Sequence, residues 1–158
     1  MRDIPVRVYA DTSVYGGVMD EEYEVPSRQF FDEVRSGRFD LVVSAVVADE
    51  LTDAPEPVRT LFEALRQSAE VADITEEVLH LQQAYLNAAI VSAKWATDAL
   101  HVALATVAQC RVIVSWNFQH IVNFRRIPLY NGVNLAEGYG AIAIHTPQEV
   151  ITREDEDV

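Results

Sequence analysis

A chain of 158 residues with 49% hydrophobic side chains suits one hydrophobic core, and its single cysteine, Cys110, excludes a disulfide framework. The formal net charge of -13 excludes generic attraction to polyanions through clustered Lys and Arg, so a nucleic acid has to be recruited locally or through a divalent cation. No segment reads as a secretory signal, and the longest apolar run, Leu41 to Ala48 interrupted by Ser44, is too short for a membrane-spanning helix; a cytoplasmic protein is expected.

Val6 to Ala10 reads as a short strand that ends on Asp11. Comparable apolar runs at Asp40 to Val43, Val71 to Ile74, Val112 to Val114 and Ala141 to Ile144 bring the predicted strands to five. Between them, apolar residues at three- and four-residue spacing predict helices over Pro26 to Arg38, Pro57 to Gln67 and Glu76 to Ala89. A short helix through Ala45 to Leu51 and another opening at Thr97 complete the pattern. The alternation predicts an α/β protein with a mostly parallel sheet covered by helices on both faces. Residues 1–151 read as a single domain and 152–158 as a solvated, disordered acidic tail. In such sheets ligands bind beyond the carboxyl ends of the strands, and the chemistry-bearing residues are sought there.

Asp11-Thr12-Ser13 follows the first strand. It supplies either a hard-cation site or a helix cap or Asx-turn. Glu50 lies on the short helix after Ser44, beside Leu51 and in preference to its neighbour Asp49, although a solvated helix face also explains it. Asp98 stands in the first turn of the helix at Thr97-Asp98-Ala99-Leu100-His101, where Thr97 is the expected N-cap and the helix dipole favours a carboxylate. His101, one turn on, reads as a hydrogen-bonded core histidine or as a ligand. Asn117 comes off the fourth strand in Ser115-Trp116-Asn117-Phe118-Gln119-His120, with Trp116 and Phe118 expected to pack beneath the following helix and His120 to bond the loop or approach a phosphate.

If these strand ends converge, Asp11, Glu50, Asp98 and Asn117 share one site. Three ionised carboxylates repel one another, and Mg2+ or Mn2+ resolves the repulsion, which points to phosphodiester hydrolysis. Gly138-Tyr139-Gly140 loosely matches a dinucleotide loop but precedes a strand and reads as a turn. Phosphoryl transfer to Asp11 is disfavoured because Thr12-Ser13 supplies no second Asp beside the first.

Together, Val8 to Ser13, Ser44 to Glu50-Leu51, Asp98-Ala99-Leu100-His101-Val102-Ala103 and Val114 to His120 resemble the PIN-domain nuclease family, and within it the VapC-like toxins of toxin and antitoxin pairs. The resemblance implies a three-layer α/β/α sandwich and a Mg2+- or Mn2+-dependent endoribonuclease with Asp11, Glu50 and Asp98 as the acidic metal ligands. Asn117 stands where many members carry a fourth acid. A small antitoxin, a homodimer and an RNA substrate are the implied partners. Ser13, Thr12 and Lys94 are candidate substrate contacts, with Arg28, Arg35, Arg125 and Arg126 as further phosphate contacts or ordinary surface cations. A scaffold that has lost turnover and acts through protein binding is the alternative.

Overall fold

The computed structural model describes residues 4–153. Of the expected acidic tail, Thr152 is tied through its N–H and hydroxyl to Glu33, and residues 154–158 lie outside the described residues. Five parallel strands form one sheet: β1 (Val6–Ala10), β2 (Phe39–Ser44), β3 (Glu70–Ala72), β4 (Val112–Val114) and β5 (Ala143–His145), in the order β3-β2-β1-β4-β5. Around it stand α1 (Thr12–Gly17), α2 (Glu24–Arg35), α3 (Ala45–Glu50), α4 (Glu56–Arg66), α5 (Glu76–Asn87), α6 (Ala96–Val107), α7 (Ile127–Ala136) and α8 (Pro147–Val150). The architecture is the expected three-layer α/β/α sandwich. None of the described helices is long and apolar enough to cross a membrane.

The central strands are the continuous apolar runs, because a parallel strand covered on both faces has no polar side to offer. Val8, Tyr9, Ala10, Val42, Val43, Ile113 and Val114 are accordingly buried. The edge strands depart from expectation. β3 begins one residue before the predicted run and ends two before it, with Val71 and Ile74 both exposed, and β5 starts two residues late. An edge strand pairs on one side only, so the ladder rather than the apolar run sets its limits.

One group of helices packs through aromatic side chains: Tyr15 of α1 lies 4.9 Å from Phe31 of α2 and 5.4 Å from Phe62 of α4. Gly37, at φ 89°, turns the chain out of the end of α2 toward β2, a backbone conformation that glycine adopts at least cost. A second group joins α5, α6 and α7 through Tyr85, whose hydroxyl donates to Asn134 Oδ1, while Asn134 Nδ2 donates to Thr106 Oγ1 at 3.3 Å. α6 is rich in small buried residues, Ala99, Ala103 and Ala105, and approaches its neighbours closely. Its start differs from expectation: a single 3-10 turn over Ala93–Trp95 runs into it, Trp95 takes the cap position, and Thr97 lies inside the helix. Asp98 is in the first turn as predicted.

Candidate active site

β1 lies between β2 and β4, where the strand order reverses, the position beyond whose carboxyl ends α/β sheets commonly bind ligands. Asp11 follows β1 at that position, its N–H donating to Val114 O at 3.1 Å. Its side chain takes the expected capping role. Oδ1 caps α1, accepting the Ser13 N–H at 3.1 Å and the Ser13 hydroxyl at 2.5 Å, and Oδ2 accepts the Ser115 hydroxyl from the end of β4 at 2.7 Å. Burial pushes the Asp11 pKa up from 3.8; His101 and the two serine hydroxyls oppose the shift, and Glu50 adds to it.

Glu50 ends α3 with its side chain 39% exposed, and its Oε1 accepts the Thr12 hydroxyl at 2.8 Å and meets His101 Nε2 at 2.6 Å. These bonds, His101 first, hold the Glu50 pKa below its ordinary 4.5 against the effect of burial. Asp49 and Glu50 are both exposed, and the bonds to Thr12 and His101 are what distinguish Glu50. His101 is buried. Its Nδ1 meets the Tyr9 hydroxyl at 2.7 Å, and Tyr9 in turn meets Ser44 Oγ at 2.8 Å. His101 is thus a buried histidine with both ring nitrogens hydrogen-bonded, one of them to the candidate acid Glu50.

Asp98 pairs through Oδ2 with His120 Nδ1 at 2.8 Å, and the Trp95 ring covers that imidazole with centroids 4.6 Å apart. Asn117 joins the two halves of the site. Its N–H donates to Ser115 Oγ at 2.9 Å and its Oδ1 accepts the His120 N–H at 2.9 Å, so one hydrogen-bonded path runs from Asp11 through Ser115, Asn117 and His120 to Asp98. Glu50 attaches to the other end through Thr12, the residue after Asp11. All four predicted site residues lie on this one line along the sheet edge.

A line is not a cage. Among the described residues no group of three or more His, Cys, Asp or Glu side chains is placed to hold a metal ion together. Mg2+ and Mn2+ do not require one, since they keep several waters and are commonly held by one or two carboxylates with phosphate oxygens. The donors fit such an ion in chemistry: hard carboxylate oxygens, one of them on a buried Asp11 whose charge burial disfavours.

The remaining candidates divide. Thr12 and Ser13 are within the network. Lys94 is exposed at the Asp98 end, with Nζ 5.1 Å from the Trp95 ring centroid. Arg28 pairs with Glu24, Arg35 with Asp32, and Arg126 Nε donates to Ile90 O. Trp116, half-buried, packs not beneath the following helix as expected but against the start of α2: its ring stacks on Tyr23 at 4.2 Å and its Nε1 donates to Ser27 Oγ at 2.9 Å. Phe118 does not pack beneath the following helix as expected but is 49% exposed, because the chain from Asn117 to Val122 coils on the Asn117 carbonyl and turns the ring outward. Sequence reasoning missed the pairing of each histidine with an acid. The Asp98 and His101 spacing of three puts both on one face of α6 but does not predict these partners, since Asp98 pairs with His120 and His101 with Glu50.

The family model described as PIN domain matches residues 7–119, from β1 through the loop after β4. No curated protein matches the chain by sequence. Among solved structures, VapBC2 from Rickettsia felis, bound to a DNA fragment from their promoter, is similar over 89% of this chain and 98% of that chain at 12% identity and a TM-score of 0.58. FitAcB from Neisseria gonorrhoeae is similar over 90% and 99% at 13% identity and a TM-score of 0.52. Identities this low carry the fold alone. The family match covers most of the chain and includes Asp11, Glu50, Asp98 and Asn117; the chain belongs to the PIN domain family.

Proposed function

We propose that this protein is a Mg2+- or Mn2+-dependent endoribonuclease that hydrolyses single-stranded RNA, and that it is the toxin of a toxin and antitoxin pair. The observation that carries the reading is the hydrogen-bonded path from Asp11 through Ser115, Asn117 and His120 to Asp98, with Glu50 bonded to Thr12, the residue after Asp11, at the carboxyl end of the sheet. Membership of the PIN domain family and the likeness in fold to VapBC2 and FitAcB support it. In this reading Asp11 and Asp98 hold the ion. Bound there, it supplies Lewis acidity toward the scissile phosphate and lowers the pKa of a water.

The chain's own residues do the rest. Both bonds to Glu50 fall on Oε1, which leaves Oε2 to bind the ion or to orient the attacking water. Ser13 and Ser115 hold the Asp11 carboxylate in one rotamer, and Asn117 fixes the loop that carries His120 toward Asp98. Thr12 and Lys94 contact the substrate at either end of the line. A homodimer held inactive by a small antitoxin in the cytoplasm completes the proposal.

One observation favours a second reading, a binding module without turnover: Asn117 Oδ1 already accepts the His120 N–H, which commits one of its two lone pairs and its orientation to the loop, and as a neutral amide it brings no charge to a metal. Incubating purified protein with single-stranded RNA and Mn2+ or Mg2+, beside Asp11→Asn and Asp98→Asn proteins, separates the two. Cleavage by the wild type alone supports the nuclease, and equal cleavage by all three removes it. Growth arrest on expression, relieved by co-expressing a small neighbouring open reading frame, supports the toxin; absence of both arrest and metal uptake supports the module.

A further inference from the structure

Glu50 is the last residue of a six-residue helix and its side chain is well exposed. A glutamate so placed ordinarily samples many rotamers in water. Here two donors converge on one of its oxygens: Thr12, which ties it to the residue beside Asp11, and His101, which reaches it from the core. Among the described residues only His101 has both ring nitrogens hydrogen-bonded.

We propose that His101 is a positioning residue for Glu50, its imidazole anchored through Tyr9 and Ser44 to the ends of β1 and β2 so that it sets the direction of the Glu50 carboxylate. What that carboxylate then does rests on the proposed nuclease function. The directions of the bonds follow from donor and acceptor chemistry. An ionised carboxylate only accepts, so Nε2 carries the proton; in the neutral ring Nδ1 then accepts from the Tyr9 hydroxyl, and Tyr9 Oη accepts from Ser44. Ser44 Oγ is itself fixed, accepting the Val47 N–H at the start of α3, the helix that carries Glu50. The chain therefore begins and ends on α3 and passes through two buried strand residues and a buried histidine, none of which can turn without breaking a bond. The Asp98 and His120 pair repeats the device at the other end of the site, with Trp95 packed against the imidazole. Each outer acid rests on a buried histidine, whereas Asp11 rests on two serine hydroxyls.

The test is Mn2+ titration of the full chain by calorimetry in a double-mutant cycle, with long-range proton and nitrogen NMR of the imidazoles. His101→Gln is expected to weaken Mn2+ binding about 10- to 100-fold, the usual effect of removing a partner behind a ligand. In a Glu50→Gln background the same substitution is expected to change affinity by less than about two-fold, because the group it positions is gone. An equal loss in both backgrounds gives His101 a general packing role and overturns the proposal. The spectra are expected to show His101 protonated at Nε2 in the wild type and both tautomers in Tyr9→Phe. Should the wild type bind no Mn2+, the metal-dependent function fails, and the tautomer alone decides the positioning: Nε2–H upholds it and Nδ1–H overturns it.

Discussion

Ser115 Oγ donates to Asp11 Oδ2 at 2.7 Å, joining the first residue after β4 to the first residue after β1 across the centre of the sheet. The register places the two residues side by side, since Ala10 pairs with Val114 and each is followed by one of them. Ser115→Ala leaves that carboxylate oxygen buried with no donor. A loss of about 1–3 kcal/mol is expected, measured by urea unfolding.

Asp11 itself is expected to reduce stability at neutral pH. Its folded pKa lies above 3.8, so between the unfolded and folded values the native state binds more protons and stability falls as pH rises through that window. Asp11→Asn should therefore melt higher than the wild type at pH 7 in metal-free buffer, by about 2–4 °C if the relief is roughly 1 kcal/mol. The difference should disappear as pH falls below 3.8. Thermal melts across pH read this directly.

Glu50 has the opposite sign. Its folded pKa is depressed below 4.5, so its bonds to His101 and Thr12 contribute stability above that value and lose it as pH falls through the folded pKa. Glu50→Gln should flatten this part of the acid-unfolding curve, and an unchanged acid slope would show that the two bonds do not form in solution.

Two packing substitutions separate the site from the core. Tyr15 is buried, and its hydroxyl has no hydrogen-bond partner among the described residues. Tyr15→Phe is expected to stabilise by about 1 kcal/mol, since it removes an unpaired buried donor. Gly17→Ala is expected to do the reverse: a Cβ there would lie 2.5 Å from Ser27 Oγ and 3.0 Å from Trp116 Nε1. It would break the Trp116 and Ser27 bond and disturb the loop at Asn117, at a cost of about 1–3 kcal/mol, with Trp fluorescence reporting the shift.

The central strands and Asp11 were legible because burial on both faces writes a continuous apolar run, and the residue that ends the run stands at the carboxyl end of the sheet. α7 was not legible. Pro128, Asn131, Gly132 and Asn134 break its apolar spacing, and it is held instead by amide side chains, Asn134 to Thr106 and Asn131 to the Ile142 backbone. α1 was hidden in the same way, since Asp11-Thr12-Ser13 reads equally as a turn and only the Ser13 N–H on Asp11 Oδ1 reveals the cap. The histidine and acid pairs span 51 and 22 residues of sequence, and no local pattern encodes such a contact. Thr97 failed as a cap because the preceding 3-10 turn had already opened the helix.

The central claim is that Asp11 and Asp98, on different elements, serve one centre. Residues that act as a unit are strongly non-additive, so the measurement is the single-turnover cleavage rate of a single-stranded RNA in Mn2+ for Asp11→Asn, Asp98→Asn and the double substitution. Either single change is expected to lower the rate at least about 100-fold, and the double change to lower it little further. Losses that multiply in the double variant would place the two acids in independent roles and contradict a shared centre.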